Sequence, residues 1–228
     1  MFAAEVELAS PVVAWLHENG SSCIAHEVEV GAGIPDLVAG MGPSRKLRNR
    51  RRQADPITDA VQLAVLEYCR TARTEADLRS WAPHGFASLA KRALSPLVER
   101  ALLESTAKGF RALKHPLDPF VSLNAVELKL SASERGFAQA YSYRVFADAS
   151  YFAVPAGKVT PVAMDRAREL GIGLLAVHPS ACEEVVEPSE VSLATAGRRR
   201  VASERVLAAS QRTDGRIAGS RGRNLVFS

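Results

Sequence analysis

Apolar residues recur along the chain at two periods, and the switches between those periods lay out the elements. Between residues 4 and 19, Leu8, Val12, Trp15 and Leu16 form one stripe at helical spacing, and Gly20 follows as a stop. Glu5 lies three residues before Leu8 and extends that stripe. Glu7 sits about 200° round the wheel from Glu5 and is expected to face outward. CIAHEVEVG (23–31) alternates towards its end, and IPDLVAG (34–40) is short and apolar. The two read as strands of a β-hairpin closed by Gly31-Ala32-Gly33.

From 57 to 115 the pattern is that of a separate helical unit. ITDAVQLAVLEYCR carries Val61, Ala64, Val65 and Tyr68 on one side, and TEADLRSWA follows with Thr74 as its cap. GFASLAKRA begins a third helix that SPLVERALLE restarts, with Ser95 as cap and Pro96 at the first helical position. LLEST and FRALKH then flank a turn at Lys108-Gly109. Three helices followed by a β-hairpin is the layout of a winged helix-turn-helix, and LVERALLEST resembles that family's passage from third helix to first wing strand.

The second half reads more simply. FVSLNAVELKLS (120–131) alternates strongly as a strand, ERGFAQAYSYRVFA is a helix, and ASYFAVP is a buried strand. TPVAMDRAREL is a helix with Thr160 as cap, Pro161 first and Gly171 as stop, and IGLLAVHP is another buried strand. That alternation implies parallel strands joined by crossover helices. CEEVVEPSE adds an edge strand, and the sequence beyond Thr195 is helical with a Gly/Arg-rich end that frays.

Composition narrows the picture only in places. A chain of 228 residues that is 47% hydrophobic and 24% charged is an ordinary globular one rather than a disordered one. The net charge of +4 is too modest to identify a partner, but its distribution is uneven. RKLRNRRR (45–52) holds six basic residues in eight, a block that reads as a solvated linker or arm rather than core. Cys23, Cys69 and Cys182 form no CxxC pair, which argues for a reducing compartment. The first residues carry acids where a signal peptide would carry bases, and no apolar run reaches membrane-spanning length. A soluble, cytoplasmic protein with no membrane partner is expected.

Candidate chemistry sits in NAVELKLS. Glu127 and Lys129 are two apart in a strand and project from one face, while Val126, Leu128 and Leu130 point the other way into core. A carboxylate can hold a divalent cation, and a lysine beside it can orient or deprotonate an attacking water. Asp36 supplies a second carboxylate from an apolar strand where a lone aspartate is costly to bury, and Glu5 supplies a third.

IPD (34–36) and ELK (127–129), after a helix opening with EVEL, resemble the PD-(D/E)XK nuclease superfamily. Removing residues 44–117 leaves that superfamily's order of elements, α-β-β-β-α-β. EVELASPVVAWLHENG is similar to the opening of archaeal Holliday-junction resolvases, and more closely to bacterial phosphodiesterases of this fold. The resemblance implies an α/β restriction-endonuclease-like core, a mixed sheet flanked by helices, at 1–43 and 117–210. A winged-helix unit is inserted at 44–116, and a basic flexible tail follows at 211–228. It further implies that Asp36, Glu127 and Glu5 are ligands of Mg2+ or Mn2+, that Lys129 positions the attacking water, and that Gln139 and Tyr143 lie beside the site.

The implied activity is hydrolysis of phosphodiester bonds in DNA, double-stranded or structured. Contacts to the backbone are expected from Arg45, Lys46, Arg48, Arg50, Arg51 and Arg52, from Lys91 and Arg92 on the third helix of the insert, and from Lys108 and Arg111 around the wing. Two nicks in a duplex need two active sites, so a homodimer is expected. The alternatives are a DNA-binding regulator that keeps the fold without catalysis, and a nuclease acting on RNA.

Overall fold

A computed structural model describes residues 2–30, 33–82, 84–189 and 193–221, with 212–221 described by their backbone alone. The chain opens with a 3-10 turn (Glu5–Leu8) and continues through α1 (Ala9–Glu18), β1 (Ser21–His26), β2 (Leu37–Met41) and α2 (Ser44–Gln53). Next come α3 (Ala60–Tyr68), α4 (Glu75–Trp81), α5 (Phe86–Leu89), α6 (Ser95–Glu99), β3 (Leu103–Thr106) and β4 (Gly109–Ala112). The remainder is β5 (Ser122–Leu128), α7 (Glu134–Tyr143), β6 (Ala149–Pro155), α8 (Pro161–Leu170), β7 (Gly173–His178), β8 (Ala181–Val186) and α9 (Ala196–Arg221). Two compact units result, one of Met1–Arg52 with Asp118–Ser228 and one of Gln53–Leu117.

The first unit is α/β, a mixed six-stranded sheet flanked by helices, in the order β1-β2-β5-β6-β7-β8. β5, β6 and β7 are parallel, as their crossover helices α7 and α8 require, and the β1-β2, β2-β5 and β7-β8 pairs are antiparallel. Alternation along β5 decides what each face buries. Val126 and Leu128 join Leu8, Val12 and Leu16 of the N-terminal helix in one cluster. Leu123 and Ala125 face the other way, into a cluster with Leu47 of α2, Tyr143 and Phe146 near the end of α7, and Val206 and Leu207 of α9. α8 adds Ala163 and Ala167 against Phe152 and Val154. Its ends are as expected: the Thr160 hydroxyl accepts the Ala163 amide, and Gly171 takes a left-handed conformation at φ 64°.

Three expectations need correction. The hairpin strands are shorter than expected, and Asp36 lies just before β2 rather than within it. Of the turn expected to close them, Gly31 and Ala32 lie outside the described residues. The basic block is neither linker nor arm, because 44–53 is helix α2 and its buried side packs in the first unit. The second unit accordingly begins at Gln53 rather than 44. Helix α9 runs on to Arg221, past the expected start of a tail at 211, and 222–228 lie outside the described residues.

The second unit holds α3 to α6 and the β3-β4 hairpin around Ile57, Val65, Leu66, Leu78, Leu94, Leu97 and Leu102. Asp59 caps α3, and Thr74 with Asp77 forms a capping box on α4. Ser95 does not cap a new helix, since α5 and α6 are continuous through a π-helical turn (Ala90–Leu94) and Ser95 is itself helical. Pro96 has no N–H to offer the carbonyl one turn back, and the Gln62 side chain donates to that Arg92 carbonyl instead, at 3.1 Å.

Candidate functional site

β5 ends between β2 and β6, and Glu127 near its end is 2% exposed, on the face that also carries Phe152. A carboxylate that deep requires partners. The Tyr143 hydroxyl, from α7, donates to Glu127 Oε2 at 2.6 Å, and Lys129 Nζ lies 2.8 Å from Glu127 Oε1. The Lys129 ammonium also donates to the Leu128 carbonyl at 3.1 Å and to Glu5 Oε2 at 3.4 Å. Its own backbone amide continues the sheet by donating to Ala153 at 3.0 Å. Asp36 closes the group from its position just before β2: its Oδ2 accepts the Leu128 amide at 2.7 Å.

The structure thus brings Asp36, Glu127, Lys129 and Glu5 together, and leaves Glu7 turned away, accepting the Ala3 amide at 2.7 Å. Gly136 explains how α7 comes so close, because a Cβ there would stand 2.6 Å from the Phe152 ring and 3.2 Å from Lys129 Cγ. Gly136, Gln139 and Tyr143 fall within about 60° of one another on α7, so Gln139 lies between the other two along the helix and to one side of them around it. Gln139 Oε1 is buried with no hydrogen-bond partner.

Charge at the site is unbalanced, with three carboxylates around one ammonium. Burial pushes the Asp36 carboxyl above its ordinary range, and the charges of Glu127 and Glu5 add to this against the Leu128 amide and Lys129. Burial alone would lower the Lys129 ammonium, but its bond to Glu127 and the charges of Glu127, Asp36 and Glu5 outweigh that and raise it. Burial, followed by the bond to Glu127, also raises the Tyr143 hydroxyl, which therefore stays a donor.

Among the described residues, no three His, Cys, Asp or Glu side chains stand together as a ready cage for a metal ion. The donor set nevertheless fits a hard divalent cation: the carboxylates of Asp36 and Glu127, the Leu128 carbonyl, and the orphaned Gln139 Oε1, all oxygens. The Leu128 backbone groups and the Gly136 approach were not legible in the sequence, since a backbone amide carries no residue signature and a glycine's contact depends on the packed partner.

The expected nucleic-acid contacts divide by helical phase. Arg50 is fully buried and grips Glu204 of α9 through two bonds, Nε at 3.1 Å and Nη2 at 2.5 Å. Arg51 donates to the Ser210 hydroxyl at 3.2 Å, and Lys46 to the Phe120 carbonyl at 2.8 Å. Arg50 is corrected from a contact residue to a structural one, because α2 turns that side inward, whereas Lys46 and Arg51 are half-buried. Arg45, Arg48 and Arg52 are exposed, within about 60° of one another on the opposite side. In the second unit Lys91 and Lys108 are exposed, while Arg92 pairs with Asp59 and Arg111 with Glu104. No helix among the described residues is long and apolar enough to cross a membrane.

No protein-family model matches the chain, and no curated protein matches it. Among solved structures, SPO1766, a protein of unknown function from Silicibacter pomeroyi, is similar at 22% identity over 46% of this chain and 69% of that one. Its TM-score is 0.34, an overlap too low to argue from.

Proposed function

We propose that the chain is a Mg2+- or Mn2+-dependent endodeoxyribonuclease with a PD-(D/E)XK core, and that Gln53–Leu117 is a winged-helix unit that binds duplex DNA. One observation carries the reading: Asp36 just before β2, Glu127 in β5 and Lys129 just after it converge at the end of β5, with Lys129 paired to Glu127 and Asp36 held by the Leu128 amide. The order of elements around them supports it, with α1, β1 and β2 followed by β5, α7 and β6.

Asp36, Glu127 and the Leu128 carbonyl would hold the cation, with Gln139 Oε1 as a further oxygen. When bound, it would supply Lewis acidity at the scissile phosphate. Lys129 keeps its proton in the present arrangement and so serves by charge and donation, orienting the attacking water and countering charge that builds on the phosphate. Tyr143 is a positioning residue that fixes the Glu127 rotamer through a hydroxyl held protonated.

The winged-helix assignment draws on α3 to α6 followed by the β3-β4 hairpin. It also draws on Arg73, which exchanges two backbone bonds of 2.8 Å with Phe110 and so adds a third strand position to the wing. Lys91 and Arg92 on the third helix and Lys108 and Arg111 on the hairpin provide the cations for backbone phosphates.

Cleavage of supercoiled, linear and branched DNA in Mg2+ or Mn2+ tests the proposal. Wild type is expected to cut at least one form, and Lys129→Ala to lose about 100-fold or more. Failure to cut any DNA overturns it, and cutting of RNA alone would move the substrate. A second reading, a DNA-binding protein without the chemistry, draws on the lack of a ready cage among the described residues. It predicts binding without cleavage in the same samples.

A further inference from the structure

We infer that Lys129 is the resident cation of this site: its ammonium fills the position a divalent ion would take, and the ion enters only by displacing it. The inference rests on the nuclease reading.

Three oxygens from two parts of the chain surround Nζ: Glu127 Oε1 at 2.8 Å and the Leu128 carbonyl at 3.1 Å from β5, and Glu5 Oε2 at 3.4 Å from the N-terminal turn. An ammonium has three protons to give, and these three hard oxygens take them. The same oxygens suit Mg2+ or Mn2+. Glu127 cannot turn elsewhere, since its other oxygen is bound by Tyr143 and the side chain is 2% exposed. Nor can Lys129 leave without cost to the fold, because among the described residues it is the cation that acts on Asp36, against the charges of Glu127 and Glu5. Two cations within a few ångströms in a partly buried place repel strongly, so ammonium and metal are alternatives there. That also accounts for the lack of a ready three-ligand cage among the described residues: the oxygens are arranged around a nitrogen.

A lysine that only orients water predicts no change in metal affinity when its charge is removed. A lysine that holds the cation position predicts tighter binding. Mn2+ titrations of the full-length chain, read by calorimetry and by the loss of free-Mn2+ signal in electron paramagnetic resonance, separate these. Lys129→Met is expected to bind Mn2+ about tenfold more tightly than wild type, because it leaves Glu127 buried without its counter-ion. Lys129→Arg, which keeps the charge, is expected to stay within about threefold of wild type. Mn2+ should also raise the melting temperature of Lys129→Met by more than that of wild type.

Equal or weaker binding by Lys129→Met, with wild type still binding and cutting, overturns this inference and leaves the nuclease reading standing. Absence of Mn2+ binding in every form overturns both. Should Lys129→Met not fold, acylation of wild-type Lys129, followed by mass spectrometry, decides in its place. Mn2+ is expected to speed the labelling of the displaced amine, and an unchanged or slower rate overturns the inference.

Discussion

Asp36 pairs a carboxylate with surroundings that work against its charge. Burial comes first and raises it, the Leu128 amide follows and lowers it, and the charges of Glu127 and Glu5 add to burial against Lys129, so the net direction is upward. Its folded-state pKa lies above the unfolded one, so protonation there favours the fold. The stability drawn from this residue is full below the ordinary carboxylate range and is lost as pH rises through the raised value. Asp36→Asn keeps an oxygen for the Leu128 amide and carries no charge. It is expected to melt a few degrees higher near neutral pH, at about 2–4 °C per kcal/mol for a chain of this size, and on the nuclease reading to lose cleavage. Calorimetry across pH checks this, since the gain should vanish below the ordinary carboxylate range; a lower melting temperature at neutral pH contradicts it. At this scale much of the candidate site was legible. Glu127 and Lys129 share a face because strands alternate, and Asp36 stands out as an acid in an apolar run. An α-helical wheel prefers Glu5 to Glu7 although the segment is a 3-10 turn. The preference holds because residues three apart eclipse in either geometry closely enough to put Glu5 above Leu8.

Helix α2 shows where composition misleads and periodicity does not. Six basic residues in eight argue for a solvated segment, yet α2 has two sides. Leu47 and Arg50 are buried, and Arg50 meets a partner 154 residues away on α9, which nothing near it in sequence announces. Elements whose signals are local, such as α8 with Thr160 and Gly171 or α4 with Thr74, were legible for the opposite reason. The two sides of α2 predict separable effects. Arg50→Met removes the two bonds to Glu204, which stays buried beside Arg200 at 3.1 Å, and is expected to cost about 3–5 kcal/mol in chemical denaturation. Replacing Arg45, Arg48 and Arg52 together with alanine is expected to change stability by only about 0.5 kcal/mol. On the nuclease reading that triple change weakens DNA binding and flattens its dependence on the logarithm of salt concentration, by about 0.9 for each phosphate no longer neutralised. An unaltered salt slope would remove this face of α2 from the nucleic-acid interface.

At the scale of the whole molecule, the second unit begins and ends at one place. The Leu117 amide donates to the Gln53 side chain at 2.9 Å, so the two ends of the second unit lie side by side. The parallel half of the sheet was legible because crossover helices dictate strand direction, and the antiparallel β1-β2-β5 half only as a hairpin, since the order in which distant strands pair is set by packing. Each unit buries its own apolar cluster, the second around Val65, Leu78, Leu97 and Leu102 and the first around the sheet. The chain connection at 53 and 117 therefore tolerates excision. Replacing Ala54–Pro116 with a short Gly-Ser linker is expected to leave a cooperatively folding chain, since loop closure between adjacent ends costs little. Because Asp36, Glu127, Lys129 and Glu5 all belong to the first unit, the shortened chain keeps Mn2+-dependent cleavage on the proposed reading, and loses affinity for duplex DNA by about tenfold or more with the winged helix gone. Cleavage kinetics against DNA concentration, beside a binding isotherm, read the two separately. Loss of all cleavage in a shortened chain that still folds would place the chemistry's requirements in the second unit. Unchanged affinity would deny that unit a part in holding DNA.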